Sequence, residues 1–291
     1  MRIAFIGLGV MGQAMAEHLR IAGHDVIGFD RNAHSGGKLP HATSASGAVT
    51  GADIIITMLP DGHAVRQVAD TVIESLSPDA LWVDTSSAEP WQTQQTAALL
   101  SDYGVAMIDA PVSGARWGAE AATLVFMCGG ATANIERARP LLAVMGREVF
   151  HVGPLGAGHA MKTINNVITA MTIVGTAEGM AIGKAYGLSA TVMVDVLNAS
   201  TGQSWWSTER LHQDVLSGTF TDGFRLSLMR KDVEIAHQLG ANQGLHTPLM
   251  DRALTIWRAA DKALNPGSVV TEMVPFVENA VTHGLPDNDQ K

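Results

Sequence analysis

Hydrophobic and polar residues follow two different patterns along this chain. In the first half, short apolar runs predict buried strands, and stretches of helical periodicity separate them. The predicted strands are residues 3–6, 26–29, 52–59, 81–84, 105–109, 123–128 and 149–152, and the predicted helices between them include 13–22, 64–76 and 93–103. Strands that alternate with helices at this spacing predict a doubly wound, largely parallel sheet.

From about residue 160 the strand signals cease and only helical periodicity remains. The predicted helices are residues 160–187, 190–199, 206–217, 227–243, 247–264 and 268–283, separated by breaks that contain Gly or Pro. The first is unusually long and mostly apolar. We therefore expect an α/β domain over residues 1–160 and an all-α domain over residues 161–291, linked by this long helix.

A glycine-rich turn follows the first predicted strand and opens the first helix. It has the pattern G-x-G-x-x-G, and the acidic residue Asp30 ends the second strand 18 residues after the last glycine. Glycines allow a tight turn and close approach to a pyrophosphate, and a helix N-terminus offers unpaired N–H groups to that charge. The sequence therefore predicts a Rossmann-type dinucleotide-binding domain. The predicted cofactor loop consists of Gly7, Leu8, Gly9, Val10, Met11 and Gly12.

The choice between NAD and NADP depends on two adjacent residues. Asp30 is expected to accept hydrogen bonds from the adenosine ribose and to repel a 2′-phosphate, which favours NAD. Arg31 keeps NADP open, because an arginine there can pair with that phosphate or stack on adenine.

Further cofactor contacts are expected where later strands end, because ligands of parallel sheets bind at the carboxyl ends of strands. Leu59 and Pro60 follow one strand, and Ser86 and Ser87 follow the next. For the two serines a second interpretation is open, that one of them is the N-cap of the following helix.

The long helix carries one polar stripe. Lys162, Asn165, Asn166 and Thr169 recur at helical spacing on an otherwise apolar segment. A single cation with amides beside it suits proton transfer to a bound substrate. The alternative is an amphipathic helix whose solvent-exposed face carries Lys and Asn.

Two other segments are candidates for substrate or cofactor contacts. In residues 109–119 the Ser113 hydroxyl and the small residues Gly114 and Ala115 are expected to form a loop with exposed backbone N–H groups, which suits a carboxylate. By composition alone the same segment is an ordinary turn. Lys231 follows another basic residue at the start of a helix, where positive charge opposes the helix dipole and a functional reason is therefore expected. The alternative is an ordinary solvent-exposed helix start.

Composition narrows the classes of function. The 291 residues are 46% hydrophobic and carry a formal charge of −9, which argues against a general nucleic-acid or anionic-membrane binder. The single cysteine, Cys128, excludes an intramolecular disulfide and a CxxC metal site. We expect a cytoplasmic protein without a membrane segment and without a bound metal.

The ordered motifs resemble the β-hydroxyacid dehydrogenase family, which includes 3-hydroxyisobutyrate dehydrogenases and tartronate semialdehyde reductases. They lie at residues 7–16, 58–60, 109–114, 156–166 and 231–232. The resemblance implies that Lys162 is the catalytic acid–base and that Asn166 is its neighbour at the substrate. It also implies that Ser113 and Gly114 bind a carboxylate and that Lys231 lies near the nicotinamide.

The resemblance further implies that the second domain packs into a homodimer or homotetramer. Two departures from the family pattern border the expected substrate loop: Ala115 replaces a second glycine, and Arg116-Trp117 replaces small residues. A third, His18 in place of Asn, lies on the first helix. These departures leave the identity of the substrate open.

We therefore expect an oxidoreductase that transfers a hydride between a nicotinamide cofactor and a small β-hydroxy acid or semialdehyde, similar to 3-hydroxyisobutyrate. Three alternatives remain. One is an NADPH-dependent reductase of an uncharged carbonyl or imine. A second is a decarboxylating sugar-acid dehydrogenase, for which the chain is short. The third is a non-catalytic dinucleotide-binding scaffold.

Overall fold

The computed structural model describes residues 1–32 and 39–286. The chain divides into two units, residues 1–162 and 163–291. The first contains a mostly parallel sheet flanked by helices, and in its described part the second is built from helices. The predicted fold class, a Rossmann-type sheet followed by an all-α region that begins within one long helix, is confirmed.

The first unit alternates strands and helices. Its strands are β1 (Arg2–Ile6), β2 (Asp25–Phe29), β3 (Ile54–Thr57), β4 (Leu81–Asp84), β5 (Ala106–Asp109), β6 (Val112–Ser113), β7 (Leu124–Gly129) and β8 (Gly146–Gly153). Its helices are α1 (Val10–Ile21), α2 (Ala45–Val49), α3 (Gly62–Val72), α4 (Pro90–Ser101), α5 (Ala115–Glu120) and α6 (Thr132–Met145), and α7 (Ala157–Tyr186) begins here.

Strand order identifies the edge of the sheet where a ligand would bind. The order is β2-β1-β3-β4-β5-β7-β6, with β8 beside β7. Strands β1 to β5 are parallel to one another, whereas β7 runs antiparallel to both β5 and β6. Because the chain winds outward in both directions from β1, the carboxyl ends of β1 and β3 border the switch point, the usual ligand crevice of such sheets.

Period-two alternation explains why the sheet has a hydrophobic core on each face. On β1, Ile3 and Phe5 belong to one buried cluster, while Ala4 and Ile6 belong to the other. Successive side chains of a strand point to opposite faces, so a strand covered on both sides reads as a continuous apolar run. Trp82 of β4 is completely buried.

The second unit contains the greater part of α7 and further helices. These are α8 (Ala190–Asn198), a π-helical segment (Ser207–Leu216), α9 (Leu226–Asn242), α10 (Pro248–Ala263) and α11 (Met273–His283), with a 3₁₀ turn at Val270–Glu272. Its core packs apolar positions of α7, such as Ala170 and Ile173, with Trp257 of α10. The indole N–H of Trp257 donates to the Ala170 carbonyl at 3.4 Å.

Several elements differ from the sequence prediction. Residues 206–217, predicted as an ordinary helix, contain the π-helical segment. The sequence pattern did not predict α2, α5, α6 or β6. Helix α6 contains Pro140 in its interior, and a proline normally marks a helix boundary. Helix α5 has only six residues, which is too short for a periodic signal.

Candidate active site

Two glycines of the cofactor loop are required by the fold. Gly7 has φ +95°, and a Cβ there would lie 2.2 Å from the Met58 carbonyl oxygen at the end of β3. A Cβ on Gly12 would lie 1.9 Å from the Gly7 carbonyl oxygen. The first glycine therefore makes the turn against β3, and the last lets α1 pack closely on the turn.

Gly9 is different, because nothing lies within 4 Å of the position its Cβ would occupy. It is the N-cap of α1, and no side chain caps this helix start. The open space and the uncapped N–H groups of the first turn are what a pyrophosphate requires. The loop therefore fits a dinucleotide, and packing within the protein does not explain why Gly9 lacks a side chain.

Asp30 lies at the end of β2 and is bound to the loop itself. Its Oδ2 accepts a hydrogen bond from the Leu8 N–H at 2.7 Å, and its Oδ1 accepts one from the Asn32 N–H at 2.8 Å. Carboxylate oxygens have several lone pairs, so these two bonds leave acceptor sites for ribose hydroxyls. The contact with Leu8 adds a structural role that the sequence did not indicate. Arg31 is exposed.

The predicted contacts at the ends of β3 and β4 are joined by a hydrogen bond. The buried Ser86 Oγ accepts from the Leu59 N–H at 2.9 Å, so the two strand-end loops are fixed to each other. The N-cap interpretation of the serines is wrong, because the N-cap of α4 is Glu89. Ser87 is half-buried.

The segment after β5 is more ordered than an exposed loop. Ser113 is the last residue of β6, and Ala115 is the first residue of α5. The expectation of a continuous loop is therefore wrong. Gly114 has φ +131° and is exposed, and Ala115 has φ +50°, which is rare for a residue with a Cβ. Such strain persists only where the surrounding structure enforces it, often at functional sites.

Arg116 and His18, two of the departures from the family pattern, have partners in this region. Arg116 Nε pairs with Glu120 at 2.6 Å, and the guanidinium lies 5.8 Å from the Trp117 ring centroid. His18 Nε2 lies 3.0 Å from the Ala119 carbonyl oxygen, to which it donates. It therefore ties α1 to the end of α5.

Lys162 and Asn166 lie one turn apart on α7, so their side chains point to the same side of the helix. Lys162 is half-buried, whereas Asn166 is buried. Asn166 Nδ2 donates to Asp232 Oδ2, and Lys231 Nζ lies 3.3 Å from Asp232 Oδ1. For Asn166, the alternative of a solvent-exposed polar face is therefore wrong.

Asp232 has a place at the candidate site that the sequence pattern did not indicate. It is buried on α9 and joins two predicted site residues, Asn166 and Lys231. The only sequence signal was its position directly after Lys231. A buried carboxylate paired with an amide and an ammonium fixes the orientation of both groups.

Within residues 1–32 and 39–286, no group of three His, Cys, Asp or Glu side chains has the arrangement needed to hold a metal ion. No helix in those ranges combines the length and hydropathy needed to cross a membrane.

Family models match almost the whole chain. A model described as the NAD binding domain of 6-phosphogluconate dehydrogenase matches residues 2–153. A second, described as NAD-binding of NADP-dependent 3-hydroxyisobutyrate dehydrogenase, matches residues 156–277.

Individual relatives agree with these models. The chain is 38% identical over 272 residues to NAD-dependent L-serine dehydrogenase of Pseudomonas aeruginosa, covering 88% of this chain and 91% of that protein. It is also 38% identical over 256 residues to 3-sulfolactaldehyde reductase of Escherichia coli K12, covering 85% of each. The structure of Mycobacterium tuberculosis 3-hydroxyisobutyrate dehydrogenase with L-serine superposes with a TM-score of 0.87 at 34% identity, covering 94% of this chain and 98% of that one.

The two family models together cover parts of both units. The expected activity, an NAD(P)-dependent oxidoreductase of small hydroxy acids, is confirmed. The chain belongs to the β-hydroxyacid dehydrogenase family.

Proposed function

We propose that this enzyme interconverts a small 3-hydroxy acid and its semialdehyde, with Lys162 as the acid–base group. The observation that carries the proposal is the arrangement on α7, where Lys162 lies one turn before the buried Asn166. The names of the relatives support the substrate class. L-serine and 3-hydroxyisobutyrate each have a hydroxyl on the carbon β to a carboxylate. We include a carboxylate in the proposed substrate of this enzyme.

Proton transfer is the step assigned to Lys162. In oxidation, the neutral amine of Lys162 takes the proton of the substrate hydroxyl. At the same time, the C–H bond of the carbon that carries this hydroxyl breaks and the C=O bond forms. The bound nicotinamide supplies the hydride acceptor. In reduction, the Lys162 ammonium returns the proton to the forming alkoxide. Asn166, held by Asp232, can bind the same substrate oxygen and keep it close to the amine.

Substrate orientation is assigned to the segment around Ser113. Its hydroxyl and the backbone N–H groups of Gly114 and Ala115 are donors, and donors of this kind suit a carboxylate. The exposed Gly114 leaves the backbone accessible. Lys231 is proposed to lie near the nicotinamide, with its ammonium held by Asp232.

NAD is the proposed cofactor, since the Asp30 carboxylate at the end of β2 is unfavourable for a 2′-phosphate. The cofactor contacts proposed with it are the loop Gly7, Leu8, Gly9, Val10, Met11 and Gly12, followed by Arg31, Leu59, Pro60 and Ser87. The expected cytoplasmic location stays a prediction.

A homodimer or homotetramer is proposed as the working form. The exposed apolar residues near the end of α7 and on α8 support it: Ile182, Tyr186, Leu188, Val192 and Val196. Large exposed apolar patches are uncommon on monomers and usually mark interfaces. Sedimentation of the purified protein measures this directly, and a monomer at micromolar concentration would contradict it.

The activity is tested by following NADH absorbance with L-serine and with 3-hydroxyisobutyrate, each beside its methyl ester. NAD and NADP are compared in parallel. Turnover of an acid without turnover of its ester supports a carboxylate substrate. Equal rates with acid and ester would contradict that part of the proposal.

The role of Lys162 is tested with Lys162→Ala. We expect kcat to fall by about 100-fold or more, the usual range for losing an acid–base group, while NADH binding is retained. Lys184→Ala is the matched control, because Lys184 lies on the same helix and pairs with Glu278 at 2.6 Å. Near-normal turnover of Lys162→Ala would remove Lys162 from the proposed role.

A further inference from the structure

The start of α7 is held in the first unit by buried polar side chains that the proposed reaction does not use. They are Asp109 at the end of β5, His159 in the first turn of α7, and Thr93 and Ser86, which contact His159. All four are buried. Burying this many polar groups together is unfavourable unless their hydrogen bonds are made.

Asp109 binds the backbone of the helix start. Its Oδ1 accepts from the Gly156 N–H at 2.7 Å, and its Oδ2 accepts from the His159 N–H at 2.8 Å. The first N–H groups of a helix have no partner within the helix, and a carboxylate also interacts favourably with the helix dipole. The carboxylate therefore fixes where α7 begins relative to β5.

The backbone around this carboxylate leaves no room for adjustment. A Cβ on Gly158 would lie 2.2 Å from the Met127 carbonyl oxygen, and one on Gly129 would lie 2.5 Å from Asp109 Oδ1. Strand β7 and the first turn of α7 therefore enclose the carboxylate from two sides. Close packing of this kind transmits a displacement instead of absorbing it.

His159 binds the helix start to the cofactor side of the sheet. Its Nε2 donates to the Ser86 carbonyl at 3.1 Å, and its Nδ1 lies 2.7 Å from Thr93 Oγ1. Because a carbonyl only accepts, Nε2 must carry a hydrogen. The Ser86 side chain in turn accepts from the Leu59 N–H. A continuous path of hydrogen bonds therefore runs from the end of β3 to the first turn of α7.

Two buried carboxylates also flank the His159 ring. Asp84 Oδ2 lies 3.8 Å from Nε2, and Asp109 Oδ2 lies 3.8 Å from Nδ1. Asp84 is held in turn, because its Oδ1 accepts from the Ser86 N–H and from Thr57 Oγ1. Each carboxylate beside the ring therefore makes hydrogen bonds of its own, Asp84 to Ser86 and Thr57 and Asp109 to the start of α7.

Lys162 follows His159 by three residues, less than one helical turn. We infer that His159 and Asp109 are positioning residues, which set the place of the Lys162 amine relative to the cofactor loops at the ends of β3 and β4. The inference rests on the proposed role of Lys162. It predicts that loosening the helix start lowers turnover without removing any group that touches the substrate.

The variants are His159→Ala and His159→Gln. A glutamine amide can place its nitrogen near the position of Nε2 and keep the donation to Ser86, whereas alanine keeps neither contact. Val174→Ala is the control, since Val174 is buried on the same helix within the second unit. Asp109→Asn tests the other contact, because an amide nitrogen cannot accept from a backbone N–H.

The first readout is steady-state kinetics, which gives kcat and KM separately. The substrates are NAD and whichever of L-serine and 3-hydroxyisobutyrate the unchanged protein oxidises faster. We expect kcat of His159→Ala to fall by about 10- to 100-fold, the effect of misplacing a reacting group by roughly 1 Å. The KM for NAD should stay close to that of the unchanged protein, and His159→Gln should recover most of the loss. Equal losses in His159→Gln, His159→Ala and Val174→Ala would overturn the inference, because they would indicate a general loss of folding.

The second readout does not need turnover. Acetic anhydride acetylates accessible amines, and mass spectrometry gives the ratio of labelling at Lys162 to that at Lys184. We expect this ratio to change by about twofold or more in His159→Ala and Asp109→Asn but not in Val174→Ala, because lysine reactivity follows its surroundings. An unchanged ratio in the first two variants would overturn the inference. A changed ratio in a protein that oxidises neither acid would support positioning while contradicting the proposed function.

Discussion

Gly9 and Gly12 belong to one loop, yet the structure predicts opposite consequences when each is replaced by alanine. A Cβ on Gly12 would meet the Gly7 carbonyl oxygen at 1.9 Å, whereas real contacts of this kind are not shorter than 3.0 Å. To accept this Cβ, α1 must move by about 1.1 Å away from the glycine-rich turn that precedes it. Gly9 has φ −67°, which alanine adopts without strain, and its surroundings are open.

The magnitudes follow from these contacts. Gly12→Ala overpacks backbone against backbone, so we expect a loss of about 3 kcal/mol and a Tm lower by about 6–12 °C. Gly9→Ala should change stability by less than about 1 kcal/mol, because alanine mainly restricts the unfolded chain. Its methyl group would instead occupy the space left for the pyrophosphate. We expect the Kd for NADH to rise by about 10- to 100-fold, or about 1.4–2.7 kcal/mol.

Thermal unfolding and an NADH titration followed by tryptophan fluorescence measure both quantities on the same preparations. Unchanged NADH affinity in Gly9→Ala would refute the assignment of the open space to the cofactor. A fall in Tm of Gly9→Ala as large as that of Gly12→Ala would refute the packing explanation itself.

Two further predictions concern groups away from the loop. Burial, and secondarily the charge of Asp109, raises the pKa of the Cys128 thiol to about 12. A disulfide reagent at pH 8 should therefore label Cys128 only after the protein unfolds. Rapid labelling of the native protein would contradict this prediction. Burial alone would raise the pKa of Glu234, but hydrogen bonds from Arg258 and Arg230 together hold it below its usual range. The resulting stability is present above the unfolded pKa and is lost as pH falls through the folded one. Glu234→Gln should therefore lower the free energy of unfolding by about 1 kcal/mol at pH 7 and by less at pH 4. If the free energies of unfolding of the variant and the unchanged protein differ equally at both pH values, this mechanism is excluded.

Local patterns were sufficient for the fold class. Apolar runs predicted β1, β4 and β5 to within a residue or so, and helical periodicity predicted most of α7. These signals depend only on which neighbouring residues are apolar, so they survive without tertiary information. The glycine loop could also be identified from the sequence, because the stereochemistry of Gly7 and its spacing to the helix are local properties. The pattern failed at α6, which continues through an interior proline, and at α5, which is too short to be periodic.

The candidate site also contains residues that the sequence pattern indicated and partners that only the structure shows. Residue type and spacing led to the assignments of Lys162, Asn166 and the loop glycines, and their roles at the site stay predictions. Their partners could not be assigned in this way, because those come from elements far away in sequence. Asn166 reaches Asp232 across 66 residues, and the buried state of Asn166 follows from that pairing.

By itself, then, the sequence determined an α/β dinucleotide unit, a helical unit, and the positions of the glycine turn and the lysine on their elements. The tertiary structure alone decided that Asp109 binds a helix start 47 residues later and that His159 joins this helix to Ser86. Sheet order brings the ends of β4 and β5 together at one edge. Which polar groups meet there depends on strand adjacency, a property that no local pattern encodes.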